Sequence, residues 1–402
     1  MRAAERTSPF EGVLVVDLTR ALAGPQATMM LADLGARVIK VEAAAGDDSR
    51  HWGPPFVGDD EVSTYFLSCN RNKESVTADL KSTEGRTLLE ALVQRADVLV
   101  ENFRPGVLDR LGFSLDTLHQ LNPRLVVCSL TGFGHDGPEG QRPGYDQIAQ
   151  GEAGLMSLTG EPDAPTKVGV AIGDLLAGMN AAYGIAAALF EREHTGRGRV
   201  VRTSLLASIV GIHAFQGTRH TVAGLVPGGE GNHHPSIAPY GLFETEDAPI
   251  QIACGNDAIW RRLCGVLDLV ADDPVVATNA DRVANRRQLT AVLNERLRYG
   301  PAEHWLRLLD DAGVPAGRVR TLDEVYAWEQ TRSQGLLVDV EHPTLGHLQL
   351  PGPALRFDDN AYAGARAAHV HPPLLGEHND TVRTWLGLTP AAADTTDMKE
   401  EA

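Results

Sequence analysis

Between Gly12 and Glu42 the chain passes through two β-branched runs with one helix-forming run between them, and this cycle limits the fold more than any other feature. Residues 12–18 (GVLVVDL) are apolar and bounded by turn residues, which predicts a buried strand. Residues 25–34 predict a helix, because proline suits a first turn and Gly35 stands just past the end. Residues 37–42 (RVIKVE) are strand-like again. A second cycle follows, with a helix over 83–95 and strands at 97–100 and 124–130. Strands alternating with helices of this length predict an α/β fold with a parallel, Rossmann-like sheet.

The chain has 402 residues, and domains usually run ~100–200, so two or three are expected. A Gly- and Pro-rich connection spans 131–144, and a helix is expected from Asp174, with Leu175, Leu176, Met179, Tyr183 and Phe190 near helical spacing. The turn 194–199 (HTGRGR) ends it. The character changes in the middle third. Residues 227–232 (PGGEGN) read as a mobile loop, since glycines lose much entropy on ordering. One strand at 249–254 and several charged helices between Asn256 and Gln330 suggest a second, smaller unit. Strand-like pieces return near 336–341 and 348–350, and the Ala- and acid-rich tail from 391 to 402 is expected to fray.

Composition excludes several classes. Lys and Arg total 36 against 53 Asp and Glu, a formal charge of −17. Duplex binding needs clustered cations, so no nucleic-acid partner is expected. Any anionic ligand requires a local basic pocket. Cys69, Cys128, Cys254 and Cys264 form no C-x-x-C pair, hence no zinc or disulfide framework is expected. Residues 1–9 are polar rather than leader-like. The least polar stretch, 175–190, contains Asn180 and falls short of the ~20 apolar residues that span a bilayer. A soluble, cytoplasmic chain is the expectation.

A dinucleotide site would need G-x-G-x-x-G at the first strand–helix turn, but residues 19–25 (TRALAGP) hold one glycine. The P-loop and the G-x-S-x-G elbow are also absent. His233 and His234 are adjacent, with no ligand at helical spacing, and read as loop histidines rather than a metal site. Asp174 follows Gly173 and opens an Ala/Leu-rich helix, whose dipole favours an ionised carboxylate. It is either an N-cap or a carboxylate nucleophile for an activated acyl group. Tyr145 and Asp146, in a Pro-Gly-Tyr-Asp turn, either face the same cleft or form a simple turn in which Asp146 caps the next helix. Arg71, Lys73, Lys81, Arg104, Arg110 and Arg142 gather before and within the connecting loops, which suits a phosphate-bearing ligand.

These segments together resemble the family III CoA-transferases. The resemblance rests on DLTRALAGP (17–25), LADLGARVIKVE (31–42), NRNKESVTADLK (70–81), ENFRPGVLDRLGF (101–113), RPGYD (142–146), the GDLLAG stretch within 168–178 and HTGRGR (194–199). It continues through AGVPAGRV (312–319), HPTLG (342–346) and PPLLGEHND (372–380), in family order across nearly the whole chain. It implies an interlocked homodimer, each chain with a large Rossmann-like domain built from both ends. On that basis 1–205 form its N-terminal part, 206–227 a linker, 228–330 the small domain and 331–402 the return.

The resemblance also implies chemistry. Asp174 would attack an acyl-CoA thioester, giving an acyl-aspartyl anhydride and then an aspartyl-CoA thioester, from which a second carboxylic acid leaves as a new acyl-CoA. Lys81, Asn102, Phe103, Arg110 and Tyr145 look like coenzyme A contacts. Gly228, Gly229 and Gly231 resemble a glycine loop that covers the site, and Asp146 falls where relatives can carry an assisting acid. Coenzyme A is a substrate here, and no metal or permanently bound cofactor is implied. Leu22 stands where oxalate-using relatives have glutamine, and Ala43 replaces an arginine that contacts CoA in some members. The stretch 231–240 (GNHHPSIAPY) resembles members that use dicarboxylates such as succinate.

The rival is α-methylacyl-CoA racemase, which shares this fold and exchanges an α-proton with a histidine base. Tyr145 occupies that histidine's position, and a phenol with pKa ~10 is a poor base at neutral pH. His135 and His213 are the remaining substitutes. A non-enzymatic binding protein is the third reading, and the near-complete set of site residues argues against it.

Overall fold

The computed structural model describes residues 8–357 and 363–389; the tail read as frayed, 391–402, lies outside them. The chain divides into two compact units. The first contains residues 8–153, 169–217 and the described part of the chain from 329 onward.

Its centre is a six-stranded parallel sheet of β1 (Leu14–Asp17), β2 (Arg37–Glu42), β3 (Lys73–Thr77), β4 (Val98–Glu101), β5 (Val126–Thr131) and β6 (Val200–Ser204), in the order β6-β5-β4-β1-β2-β3. The four central strands β1, β2, β4 and β5 are buried along nearly their whole length and accordingly read as largely apolar runs, unlike the edge strands β3 and β6. One face packs against α2 (Thr83–Val93) and α4 (Leu115–Leu121), which follows the short α3 (Val107–Arg110). Leu88, Leu92 and Leu118 meet Val16, Ile39 and Leu99 there.

The other face is covered by α1 (Ala23–Asp33) and α6 (Ile172–Thr195), which pack closely on each other. Small residues allow this approach: a Cβ on Gly178 would lie 2.7 Å from the Ala23 carbonyl oxygen. Helix α6 has 24 residues and is, by length and composition, long and apolar enough to cross a bilayer, although the sequence stretch 175–190 reads as too short for that. Ala177, Ala181, Ile185 and Leu189 are nevertheless buried within the unit.

The chain's end returns to this unit. Helix α12 (Asn379–Leu386) places Val382 and Leu386 in the same apolar cluster as α2, and Asn379 Oδ1 accepts the Thr77 N–H at 2.8 Å. An antiparallel hairpin, β10 (Leu337–His342) with β11 (Gly346–Pro351), precedes it.

The second unit comprises 154–168 and 218–328. A three-stranded antiparallel sheet, β7 (Tyr240–Phe243), β8 (Ile250–Ala253) and β9 (Ala316–Arg318), packs with α9 (Asp257–Leu267), α10 (Arg286–Leu297) and α11 (Ala302–Asp311) around Trp260 and Phe243. The sequence suggested a linker at 206–227, but α7 (Leu205–Gly211) and α8 (Ala214–Thr221) occupy most of it. The unit boundary falls inside α8, and residues 154–168 join the second unit although they precede the expected linker.

Candidate active site

In the six-stranded sheet the chain progresses outward from β1 in both directions, so the order reverses between β1 and β4. In open α/β sheets such a reversal point is where ligands bind, in the crevice outside the carboxyl ends of the strands. Two features hold its rim. Asn102, just past β4, clamps the turn after β1: its Oδ1 accepts the Arg20 N–H at 3.0 Å and its Nδ2 donates to the Arg20 carbonyl at 2.8 Å. The same turn contains Ala21 at φ +67, a strained conformation for a residue with a Cβ, held by an Asp47 Oδ1 contact to its N–H at 3.1 Å.

Below the turn lies a fully buried ionic network. Lys73 Nζ donates to Asp17 Oδ2 at 3.1 Å, to Asn70 Oδ1 at 2.8 Å and to the Pro25 carbonyl at 2.9 Å. Lys40 Nζ donates to Asp47 Oδ2 at 2.8 Å and the Thr19 carbonyl at 2.7 Å. Burial by itself pushes the Asp17 carboxyl up, yet the two ammonium groups and two hydroxyl donors hold it far below the usual range. The network ties α1, β1, β2 and β3 to one another.

This corrects the reading of the cations. Lys73 is sealed in the core, and Arg71 is committed to Asp33 (Nη2 to Oδ2, 2.5 Å) and the Pro351 carbonyl. Arg142 pairs with Glu152 at 2.5 Å and stacks over Phe133. None of the three has a charge to spare for a phosphate. Lys81, Arg104 and Arg110 differ: they are exposed, the first two in the connections after β3 and β4 and Arg110 at the end of α3, and carry no ion pair among the described residues.

Asp174 is the third residue of α6, and it is not the cap. The N-cap position belongs to Ala171, which has no capping side chain. Asp146 supplies the missing acceptor from the first turn of α5 (Asp146–Glu152): its Oδ1 takes the Gly173 N–H at 2.7 Å while Oδ2 accepts from Gln150 at 2.7 Å. Thus Asp146 caps α6 rather than its own helix, as the turn reading had it. Gly173 suits the contact, because a Cβ there would sit 3.0 Å from both that oxygen and the Ile209 side chain, closer than an ordinary packing distance.

No hydrogen bond or ion pair reaches the Asp174 carboxylate among the described residues. Burial, and then the charge of Asp146, push its carboxyl up to about 7. The helix dipole expected to favour ionisation is therefore outweighed. The apolar surroundings are identifiable: Leu22, Met29, Cys69, Tyr65, Ala171 and Leu175 form one cluster at the start of α6. Leu22 contributes hydrocarbon to it.

Tyr65 was not singled out in the sequence. Burial, followed by the nearby charge of Asp174, raises its phenol well above the ordinary value, and its ring meets Trp52 edge-on at 4.9 Å. Nothing local in TYFLS marks it, since its relevance comes from distant residues. Tyr145 stands at the N-cap of α5 and is 68% exposed, and Phe103 is half-buried against the sheet cluster. Ala43 is exposed just past β2, whose final Glu42 pairs instead with Arg50 at 2.7 Å.

The histidines are accounted for by contacts. His135 Nε2 lies 2.6 Å from Ser129 Oγ, and His213 Nε2 lies 2.9 Å from the Ala153 carbonyl oxygen. His234 Nδ1 accepts the Ser236 N–H at 3.1 Å and its ring stacks on Tyr240. Among the described residues no group of three His, Cys, Asp or Glu side chains is placed to hold a metal. In the second unit the glycine loop lies against the hairpin Gly160–Glu161/Ala164–Pro165. Gly231 N donates to the Gly160 carbonyl at 2.9 Å, and a Cβ on Gly229 would fall 2.5 Å from that oxygen. Gly228 has open space around it, and Glu230 is anchored by Arg286 at 2.8 Å.

Similarity to known proteins shows the family of the chain. The profile of CoA-transferase family III matches residues 10–379. The chain belongs to that family. It is 41% identical over 374 residues to a succinyl-CoA:glutarate CoA-transferase of Homo sapiens, covering 92% of this chain and 84% of the relative. It is equally, 41%, identical over 387 residues to an acetyl-CoA:oxalate CoA-transferase of Acetobacter aceti, covering 94% of this chain and 96% of that one. Among solved structures, a CAIB/BAIF family protein from Brucella suis superposes with a TM-score of 0.84 at 41% identity, covering 95% of this chain and 100% of the other. This family III CoA-transferase is an enzyme of acyl-CoA metabolism, with a CoA thioester and a carboxylate as substrates.

Proposed function

We propose that the enzyme transfers CoA from a succinyl-CoA-like donor to a small carboxylic acid, with Asp174 as the covalent nucleophile. The observation that carries this is the Asp174 carboxyl itself, at the open end of a helix, desolvated, without a cation and held at about 7. A poorly solvated carboxylate is a stronger nucleophile than one in water, and half of it is ionised at neutral pH. In the first step the Asp174 oxygen bonds to the thioester carbonyl and CoA leaves as thiolate, giving a mixed anhydride. The thiolate then attacks the aspartyl carbonyl and releases the donor acid. The acceptor carboxylate displaces CoA from the aspartyl thioester, forming a second anhydride. Attack of the thiolate on its acyl carbonyl yields the new acyl-CoA and free Asp174. No net proton or electron is consumed.

In this reading Lys81 and Arg110 face CoA phosphates, and Phe103 and Tyr145 supply apolar contact. Asn102 shapes the rim through Arg20. Asp146 acts by capping α6 and raising Asp174, and the cover assigned to Gly228, Gly229 and Gly231 rests on the sequence resemblance. A dicarboxylate donor is favoured by the 231–240 stretch and by the similarity to the human succinyl-CoA:glutarate CoA-transferase. We further propose an interlocked homodimer. Along α6, Met179, Tyr183 and Phe190 are exposed, Tyr183 at 77%, and a cavity of about 560 Å³ that Met179 and Tyr183 help to line is walled mainly by apolar side chains.

The test is hydroxylamine trapping after incubation with a panel of acyl-CoA donors, read by peptide mass spectrometry. A hydroxamate on the Asp174 peptide is expected. Racemisation is disfavoured by Tyr145 and by the commitments of His135 and His213; deuterium entering the α-position of a branched acyl-CoA, with no adduct, would reverse that choice.

A further inference from the structure

Glu101 and Ser129 are direct partners across β4 and β5 at the crevice end of the sheet, and each is only 7% exposed. Ser129 Oγ is hydrogen-bonded to Glu101 Oε1 and to His135 Nε2, while Glu101 Oε2 accepts the Phe103 N–H at 2.8 Å. Among the described residues Glu101 has no ion pair. A buried carboxylate without a cation is costly, and a strand end needs none. Its observed partners all lead to the two loops that border the crevice.

We infer that Glu101, Ser129 and His135 form a hydrogen-bonded relay that positions Phe103 and the 131–144 loop together for acyl-CoA binding. This rests on the reading that acyl-CoA lies against the Asn102–Phe103 turn. The proton count gives the relay a direction. Ser129 has one hydroxyl proton and two neighbours; an ionised Glu101 can only accept, so that proton goes to Glu101 and His135 must donate from Nε2. The chain of contacts then runs from the Phe103 amide to the loop.

Other holds act on the loop as well: Arg142 pairs with Glu152 at 2.5 Å and lies over the buried Phe133, and the Gly132 carbonyl accepts the Leu206 N–H at 3.0 Å, but none of these connects it to Phe103. Its ends touch at Gly132 and Gly144, where a Cβ on Gly132 would lie 2.7 Å from the Gly144 Cα, and Gly134 N donates to Thr131 Oγ1 at 3.0 Å. It leads directly into Tyr145 and Asp146, and Asp146 caps the helix of Asp174. Glu101, Ser129 and His135 are accordingly positioning residues. They hold the groups that meet substrate and take no part in bond making.

The experiment is calorimetric titration of the enzyme with CoA, alongside steady-state transfer, for Ser129→Ala, His135→Ala, the double variant and His135→Gln. Each alanine variant should weaken CoA about tenfold, the size of one buried hydrogen bond, and raise the acyl-CoA KM alike with kcat within about twofold. The double variant should bind no more weakly than the weaker single one, because both break the same chain. His135→Gln keeps a donor at the same reach and should restore affinity. His135 lies on a loop, so its variants remain informative if Ser129→Ala fails to fold. Unchanged affinity in the His135 variants, additive losses, or failure of glutamine to restore binding would each overturn the relay. Hydrogen exchange separates the two ideas: CoA should slow exchange at 102–104 in the wild type. Protection elsewhere means the binding reading is wrong; protection there with unchanged affinities means only the relay is wrong.

Discussion

Replacing Asp174 by asparagine should stabilise the protein above neutral pH, and the size of the effect follows from the site. The folded carboxyl titrates at about 7, against the ordinary 3.8. A folded value above the unfolded one means that the bound proton favours folding. Below about pH 4 both states hold it and ionisation costs nothing. As pH rises from there, the unfolded chain releases its proton first and stability falls, until the full penalty stands above 7. That penalty is about 4 kcal/mol at 1.36 kcal/mol per pH unit, and residual solvent access reduces it. Asparagine stays neutral, and its own packing and hydrogen-bonding effects do not vary with pH. The difference in urea-unfolding free energy, variant minus wild type, should therefore grow by about 2 kcal/mol between pH 5.5 and 8.5, at matched protein concentration. A flat difference would refute the argument that burial keeps this carboxyl protonated. A difference of opposite sign would mean that the helix dipole dominates and that Asp174 is ionised and stabilised.

Asp146→Asn keeps an oxygen for the Gly173 N–H but removes the like charge, so the acid limb of kcat/KM should move below pH 7; an unmoved limb in the pH–rate profile would exclude Asp146 as a cause of the raised value. Asp174→Ala should abolish transfer while calorimetry finds CoA affinity unchanged, and retained turnover would end the nucleophile assignment. Lys73→Met leaves Asp17 buried without its ion pair and should cost about 3–5 kcal/mol in urea unfolding, whereas a phosphate-binding lysine would lose CoA affinity instead. Gly229→Ala forces a Cβ within 2.5 Å of the Gly160 carbonyl oxygen, so the loop should leave the hairpin and become faster to proteolyse; unchanged cleavage would show that the docking is unimportant.

Where sequence reading failed, pairing across the fold was the reason. The edge strand β3 escaped notice because Lys73 and Glu74 make KESVT look like a solvated turn. Its lysine is buried only because Asp17, more than fifty residues earlier, waits opposite it. The same cause misassigned Arg71, which meets Asp33 on α1. Asp146 was read as a possible cap for its own helix, and nothing nearby announces that Gly173 takes its oxygen.

The strands β1, β2, β4 and β5, the long α6 and the position of Asp174 at its start were legible in the sequence, since periodicity and turn chemistry are local. The match of whole segments to one family made the reaction class legible too. Tertiary structure alone decided which cations remain available to a ligand, which carboxylate caps α6 and which is left without a hydrogen-bond partner among the described residues, and how far Asp174 is held from ionisation. Those are properties of burial and of partners distant in the chain. A residue's charge is written in its letter, but its availability depends on what surrounds it.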